Sequence, residues 1–179
     1  PHFSNFASNA FANLPTGDEE GNNTASYQED VKICRSFFPR INVNGKDELA
    51  FSVATALKFD SIKTMQFLKQ AKSEELVNFR GNFEIQEVKV QDINKSDVES
   101  SGFTGMFTAL DIGDVMTENF DSTLLKDKIV LMGFLGDYFG DPSWGDKFFT
   151  PLNKKVAGRA NPDMFGLVVH ANIIAMILN

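Results

Sequence analysis

The strongest pattern of apolar and polar positions lies at the carboxyl end of the chain. There Met164-Phe165-Gly166-Leu167-Val168-Val169-His170-Ala171-Asn172 continues through Ile173-Ile174-Ala175-Met176-Ile177-Leu178 to Asn179. Apolar side chains take nearly every helical position, so a helix here has no polar face apart from His170 and Asn172 and has to be buried or be entering a membrane. The run is too short to span a bilayer alone, which takes roughly 20 apolar residues. With about 100° per residue, His170 and Asn172 stand about 200° apart and do not share a face, and one of them is expected to serve helix capping or loop bonding.

A second apolar run, Ile129-Val130-Leu131-Met132-Gly133-Phe134, comes directly after Lys126-Asp127-Lys128. Such a run predicts a strand covered on both faces, as in the middle of a parallel sheet. Alternation over residues 31–38 predicts a half-covered strand that Pro39 ends, and Asn44-Gly45 marks a turn. Leu49, Val53, Ala56 and Leu57 recur at helical spacing, with Asp47 placed to cap or charge the helix start. A second amphipathic helix is expected over residues 61–72, with Asp60 as N-cap and Ile62, Met65 and Leu68 along it. Residues 76–79 and 83–90 read as short strands joined tightly through Arg80-Gly81-Asn82, as in a hairpin. A further strand over residues 103–109 and a short helix over 111–116 complete the set. The first 14 residues carry Phe3, Phe6 and Phe11, with one amphipathic turn over 6–12, and 18–24 is an exposed acidic turn. Residues 92–102 are a polar loop and 153–162 a basic one. The expected fold is a single α/β domain over residues 1–179, with a mixed or mainly parallel central sheet, helices on its faces and a less ordered lead-in over 1–30.

Composition narrows the functions. At 179 residues and 42% hydrophobic content the chain fits one domain. Its 17 basic and 24 acidic side chains give a net charge of −7, which makes nucleic acid and anionic lipid poor partners. A single Cys34 and two histidines, His2 and His170, rule out an internal disulfide, a Cys-only zinc site and a His-rich metal site, and no cofactor is expected. Asn22 and Asn94 begin weak glycosylation sequons. Neither a signal peptide nor a complete transmembrane segment is present, and both ends read as cuts in a longer protein.

The densest candidate chemistry comes just after the 129–134 run. Gly136, Asp137, Gly140, Asp141, Pro142, Gly145 and Asp146 crowd together before Phe148-Phe149-Thr150-Pro151-Leu152. A loop leaving the carboxyl end of a buried parallel strand is where open α/β sheets place ligands. The three aspartates suit a hard cation, but they lack the spacing of a calcium loop, so a solvated Gly/Asp loop is the favoured reading and no metal is assigned. Trp144, Tyr138, Phe139, Phe148 and Phe149 make an aromatic stretch for core packing, a partner surface or a ligand wall, in that order. His170 has two readings. It titrates near neutrality, so it can sense pH, hold an anion or share a metal with Asp137, Asp141 or Asp146. The favoured alternative is a buried ring that bonds the Asp146 or Thr150 region and locks the terminal helix onto the sheet. A phosphate loop, a facing carboxylate pair and a Gly-x-Ser-x-Gly elbow are all missing, and Cys34 has no reason to be reactive, so catalysis is not expected.

Lys128-Ile129-Val130-Leu131-Met132-Gly133, Asp146 before Thr150-Pro151-Leu152, and Gly166 with Val169-His170-Ala171-Asn172-Ile173-Ile174-Ala175 resemble the closing half of the second subfamily of CHASE-type extracellular sensory domains. Phe79-Arg80-Gly81, and Arg35 with Pro39, resemble its earlier motifs more loosely. The resemblance covers most of residues 31–178, and it places the family's additional N-terminal α/β portion outside this chain. It implies the extracytoplasmic, periplasmic module of a bacterial membrane receptor, anchored through flanking transmembrane helices and followed by an output domain. On that basis the chain is expected to bind an unknown small-molecule or protein ligand and to signal through its terminal helix. Asp137, Asp141, Asp146, Thr150, His170 and Asn172 are the candidate ligand-binding or structural residues. Alternative functions are a scaffold domain that dimerises a membrane protein and, third, a metal-dependent hydrolase built on the Asp-rich loop and His170.

Overall fold

The computed structural model describes residues 8–16, 32–85, 106–138, 141, 143–153 and 161–179. The acidic turn over 18–24, both sequons, Phe3, Phe6, Phe139, the 92–102 loop and most of the basic loop lie outside these. The chain forms β1 (Ser36–Phe37), β2 (Arg40–Val43), β3 (Lys46–Leu49), α1 (Phe51–Phe59), α2 (Ser61–Gln70), β4 (Glu75–Leu76), β5 (Phe83–Ile85), β6 (Phe107–Ala109), α3 (Ile112–Met116), a 3₁₀ turn (Ser122–Leu124), β7 (Lys147–Phe148), β8 (Met164–Phe165) and α4 (Gly166–Leu178).

Local chemistry accounts for several element ends. Asn44 and Gly45 take φ of 53° and 82°, which closes the β2–β3 hairpin by the turn that matches strand twist. The hairpin takes up Asp47 and Leu49, so the first helix begins only at Phe51, with Ala50 as an N-cap that makes no side-chain bond. Asp60 caps α2 by accepting from the Lys63 amide at 3.0 Å, as its position before Ser61 predicts. Asp111 caps α3 in the same way through Gly113.

The sheet departs from expectation. The described strands pair two by two: β1–β4, β2–β3 and β7–β8 antiparallel, and only β5–β6 parallel. A parallel bridge between Ile33 and Phe149 lines up β8, β7, the stretch leading into β1, and β4 as one interrupted ribbon of mixed direction. The domain is mixed α/β, and no mainly parallel central sheet is present among the described residues. The anticipated hairpin through Arg80-Gly81-Asn82 does not form either, because β4 pairs back to β1 and β5 pairs forward to β6.

The 129–134 run is not a central strand. Ile129 and Leu131 pack against the core, whereas Val130, Met132 and Phe134 are exposed, Met132 to 81%. Only one face of this stretch is covered. Within it Gly133 lies under Leu167, where a Cβ would stand 3.2 Å from the leucine methyls, so the stretch runs beside α4 without joining a ladder.

The core forms instead around α4. Val168, Val169, Ile173, Ile174 and Ile177 are buried with Cys34, Phe37, Val53, Ala56, Phe148 and Met164. Each large apolar side chain among them contributes about 1.5–3 kcal/mol on leaving water. α4 lies against α1 and α2, so its bed is a helical pair where a sheet was expected. No helix among the described residues is long and apolar enough to cross a membrane.

Candidate functional site: the seat of the terminal helix

α4 carries two buried polar side chains in an otherwise apolar coat, and each is met by a different part of the chain. His170 Nδ1 stands 2.7 Å from Ser52 Oγ on α1, and Nε2 stands 3.2 Å from the Ala12 carbonyl oxygen. A carbonyl only accepts, so Nε2 carries the proton and Nδ1 accepts from the serine hydroxyl when the ring is neutral. The Phe51 ring meets the imidazole edge-on at 5.3 Å between centroids. Burial holds the His170 pKa below its usual 6.5, against smaller upward pulls from the Ala12 carbonyl and the Asp146 carboxylate. The ring thus fastens α4 to α1 and to the lead-in segment around Ala12. The expected bond to the Asp146 or Thr150 region is not made, since the α1 hydroxyl and the Ala12 carbonyl take both nitrogens. Phe11 is tied in separately: its amide donates to Leu49 and its carbonyl accepts from Phe51.

Asn172 is fully buried on the other side. Its Oδ1 accepts from the amides of Arg80 at 2.7 Å and Gly81 at 3.3 Å, and its Nδ2 donates to the carbonyls of Gly81 and Val168, each at 2.9 Å. The amide side chain therefore pairs with the backbone of the Phe79-Arg80-Gly81 strap as a strand edge would. The two polar residues face different ways, and both bond segments outside the helices, His170 the Ala12 carbonyl and Asn172 the 80–81 strap.

The start of α4 is fixed by the loop before β7. Asp146 has a φ of 54°, a left-handed conformation that Asp tolerates better than most residues, and its carbonyl accepts from the Gly166 amide at 2.9 Å. A Cβ at Gly166 would stand 3.1 Å from the Phe148 ring and 3.3 Å from the Asp146 carboxylate, so glycine permits this close approach. A carboxylate beside the first residue of a helix is also favoured by the helix dipole.

The remaining candidates serve the loops around it. Asp141 is buried and accepts from the amides of Asp137 and Ser143 and from the Ser143 hydroxyl, bonds that hold its carboxyl below the usual range. Lys147 Nζ donates to the Asp141 carbonyl and lies over the Phe165 ring. Thr150 bonds Asp163 twice, through its amide at 2.9 Å and its hydroxyl at 2.6 Å, while burial pushes the Asp163 carboxyl up. Asp137 contributes its backbone amide. Among the described residues no three His, Cys, Asp or Glu side chains come together to hold a metal ion. In the aromatic stretch Phe148 is buried, Trp144 meets Phe149 edge-on, and Tyr138 is 63% exposed.

Ser52, Asp163 and Lys63 were not anticipated. Lys63 Nζ donates to the Leu178 carbonyl at 2.6 Å and so finishes the last turn of α4. Ser52 does leave a sequence signal, a hydroxyl beside Val53 on the stripe that also holds Ala56; Asp163 leaves none.

The CHASE2 domain matches the chain over residues 5–179. No curated protein and no solved structure matches it.

Proposed function

We propose, for a chain that belongs to the CHASE2 domain family, a family of extracellular sensory domains, that it is the signal-input module of a bacterial membrane receptor and that α4 is the element through which the signal leaves. The observation that carries this reading is the seat of α4. Its start is held by Asp146, its middle by Ser52, Ala12 and the 80–81 strap, and its end by Lys63. Elements from distant parts of the chain thus converge on one helix, and each bond is a point at which ligand binding can bias the helix position. A ligand shifts such an equilibrium only by its differential affinity for two states, so it must contact a part whose position differs between them. We assign that role to Asp146 and the 79–81 strap, because both bond α4 and both reach the surface. The output lies on the far side of a membrane, and α4 leads toward it.

Thermal shift of the purified chain against a panel of metabolites and metal salts tests the reading. Saturable stabilisation by one compound is expected. The reading is lost if every compound leaves the transition unmoved and the intact receptor responds normally with α4 uncoupled by a flexible Gly-Ser insertion after Leu178. A second reading is favoured by the exposed Val130, Met132 and Phe134: a scaffold that joins membrane proteins through this face. Sedimentation showing a concentration-dependent dimer, abolished by Met132→Lys, supports that alternative.

A further inference from the structure

The corner between α1 and α2 reverses the usual placement of side chains. Phe59 is 56% exposed, Ile62 73% and Met65 47%, although both helices have a covered face. Lys58 and Lys63 are exposed among them. Residues 58–70 contain Lys58, Lys63 and Lys69 against Asp60 as the only acid, on a chain whose net charge is −7. The Asp60 carboxylate is already engaged as the α2 N-cap. The bond from Lys63 to Leu178 places this basic, apolar corner directly beside the last turn of α4.

We infer that this corner rests on the headgroup region of an anionic bilayer, with Phe59, Ile62 and Met65 at the boundary of the acyl chains and Lys58 and Lys63 among the phosphates. The inference rests on the reading of α4 as the element that leads to the membrane, and it names the surface that α4's neighbours meet there. Apolar side chains flanked by lysines are the combination that binds at a membrane interface, and juxtamembrane lysines are attracted by anionic lipid. The overall negative charge does not prevent this. Charges more than a Debye length away, about 8–10 Å at physiological salt, are largely screened, so the local balance decides. At this one corner the proposed contact therefore departs from the bulk expectation that anionic lipid is a poor partner.

The test anchors the chain to vesicles by a carboxyl-terminal histidine tag on chelating lipid, which sets the end of α4 at the surface without the rest of the receptor. An environment-sensitive dye is placed at Ile62→Cys or, as control, at Lys46→Cys; Cys34 is buried and does not compete. On phosphatidylglycerol-containing vesicles the dye at 62 is expected to shift to the blue and the dye at 46 is not. High salt or Lys58→Glu should reverse the shift several-fold. A dye at 62 that keeps its aqueous emission, or responds equally on pure phosphatidylcholine, overturns the inference. So does a blue shift that depends on protein concentration without vesicles, since that assigns the corner to a protein contact. Failure here leaves thermal-shift ligand binding untouched, so the sensory reading is judged separately.

Discussion

Replacing Asn172 with alanine leaves the Arg80 and Gly81 amides and the Gly81 carbonyl against an apolar helix surface, where each unmet group costs about 1–3 kcal/mol. Partial relaxation of the strap brings the total to about 3 kcal/mol. For a domain of this size that corresponds to a fall in Tm of about 6–12 °C, readable by calorimetry. His170 acts through pH instead. Because burial holds its folded pKa below 6.5, the unfolded chain takes up this proton first as pH falls. Its contribution is therefore fully present above pH 6.5 and is lost as pH falls through the folded value. Denaturant titrations should show wild-type stability declining as pH falls from 6.5 toward the lowered folded value and levelling off below it, and His170→Gln should flatten the decline. A steeper decline in the variant would sink the assignment of a neutral ring.

Among the elements, the 129–134 run separates two kinds of apolar residue. Ile129 and Leu131 pack on the core, so alanine at either should cost roughly 1–3 kcal/mol, less than a fully buried site because both are partly exposed. Val130→Thr and Met132→Lys should stay within about 0.5 kcal/mol, since neither side chain is covered. Equal costs on both faces, measured by urea unfolding, would mean that the outer face is buried in solution. This stretch also shows where sequence reading stops. An uninterrupted apolar run looks the same whether both faces are covered or only one, so the expected central strand could not be told from an extended segment beside α4. The Asp60 cap, the Asn44-Gly45 turn and the burial of α4 were legible because each depends on neighbours within a few residues. The pairing of β5 with β6 and the two partners of His170 depend on groups far apart in sequence: Ser52 is 118 positions away and Ala12 158. Local pattern places the Ser52 hydroxyl on a covered stripe but carries no trace of which distant group each of these meets.

At the scale of the whole molecule, the seat of α4 opens either with the rest of the core or apart from it, and Cys34 supplies the probe. It is completely buried, its amide bonds the Phe149 carbonyl at 3.0 Å, and burial pushes its thiol up to about 11. Thiol reagents need the thiolate and access to it, so the native chain should react only through opening. Cys34 lies in the same core as Val169 and Ile173. If that core is one cooperative unit, labelling tracks the population of the open form when reclosing outpaces the reagent. Asn172→Ala, at about 3 kcal/mol, should then speed labelling about a hundredfold, one factor of ten per 1.4 kcal/mol, while Val130→Thr leaves it unchanged. Should Asn172→Ala lower Tm yet leave the labelling rate as it was, the strap and α4 open without the Cys34 core. The helix would then move against a body that stays folded, and the two states that sensing requires would differ in the seat alone.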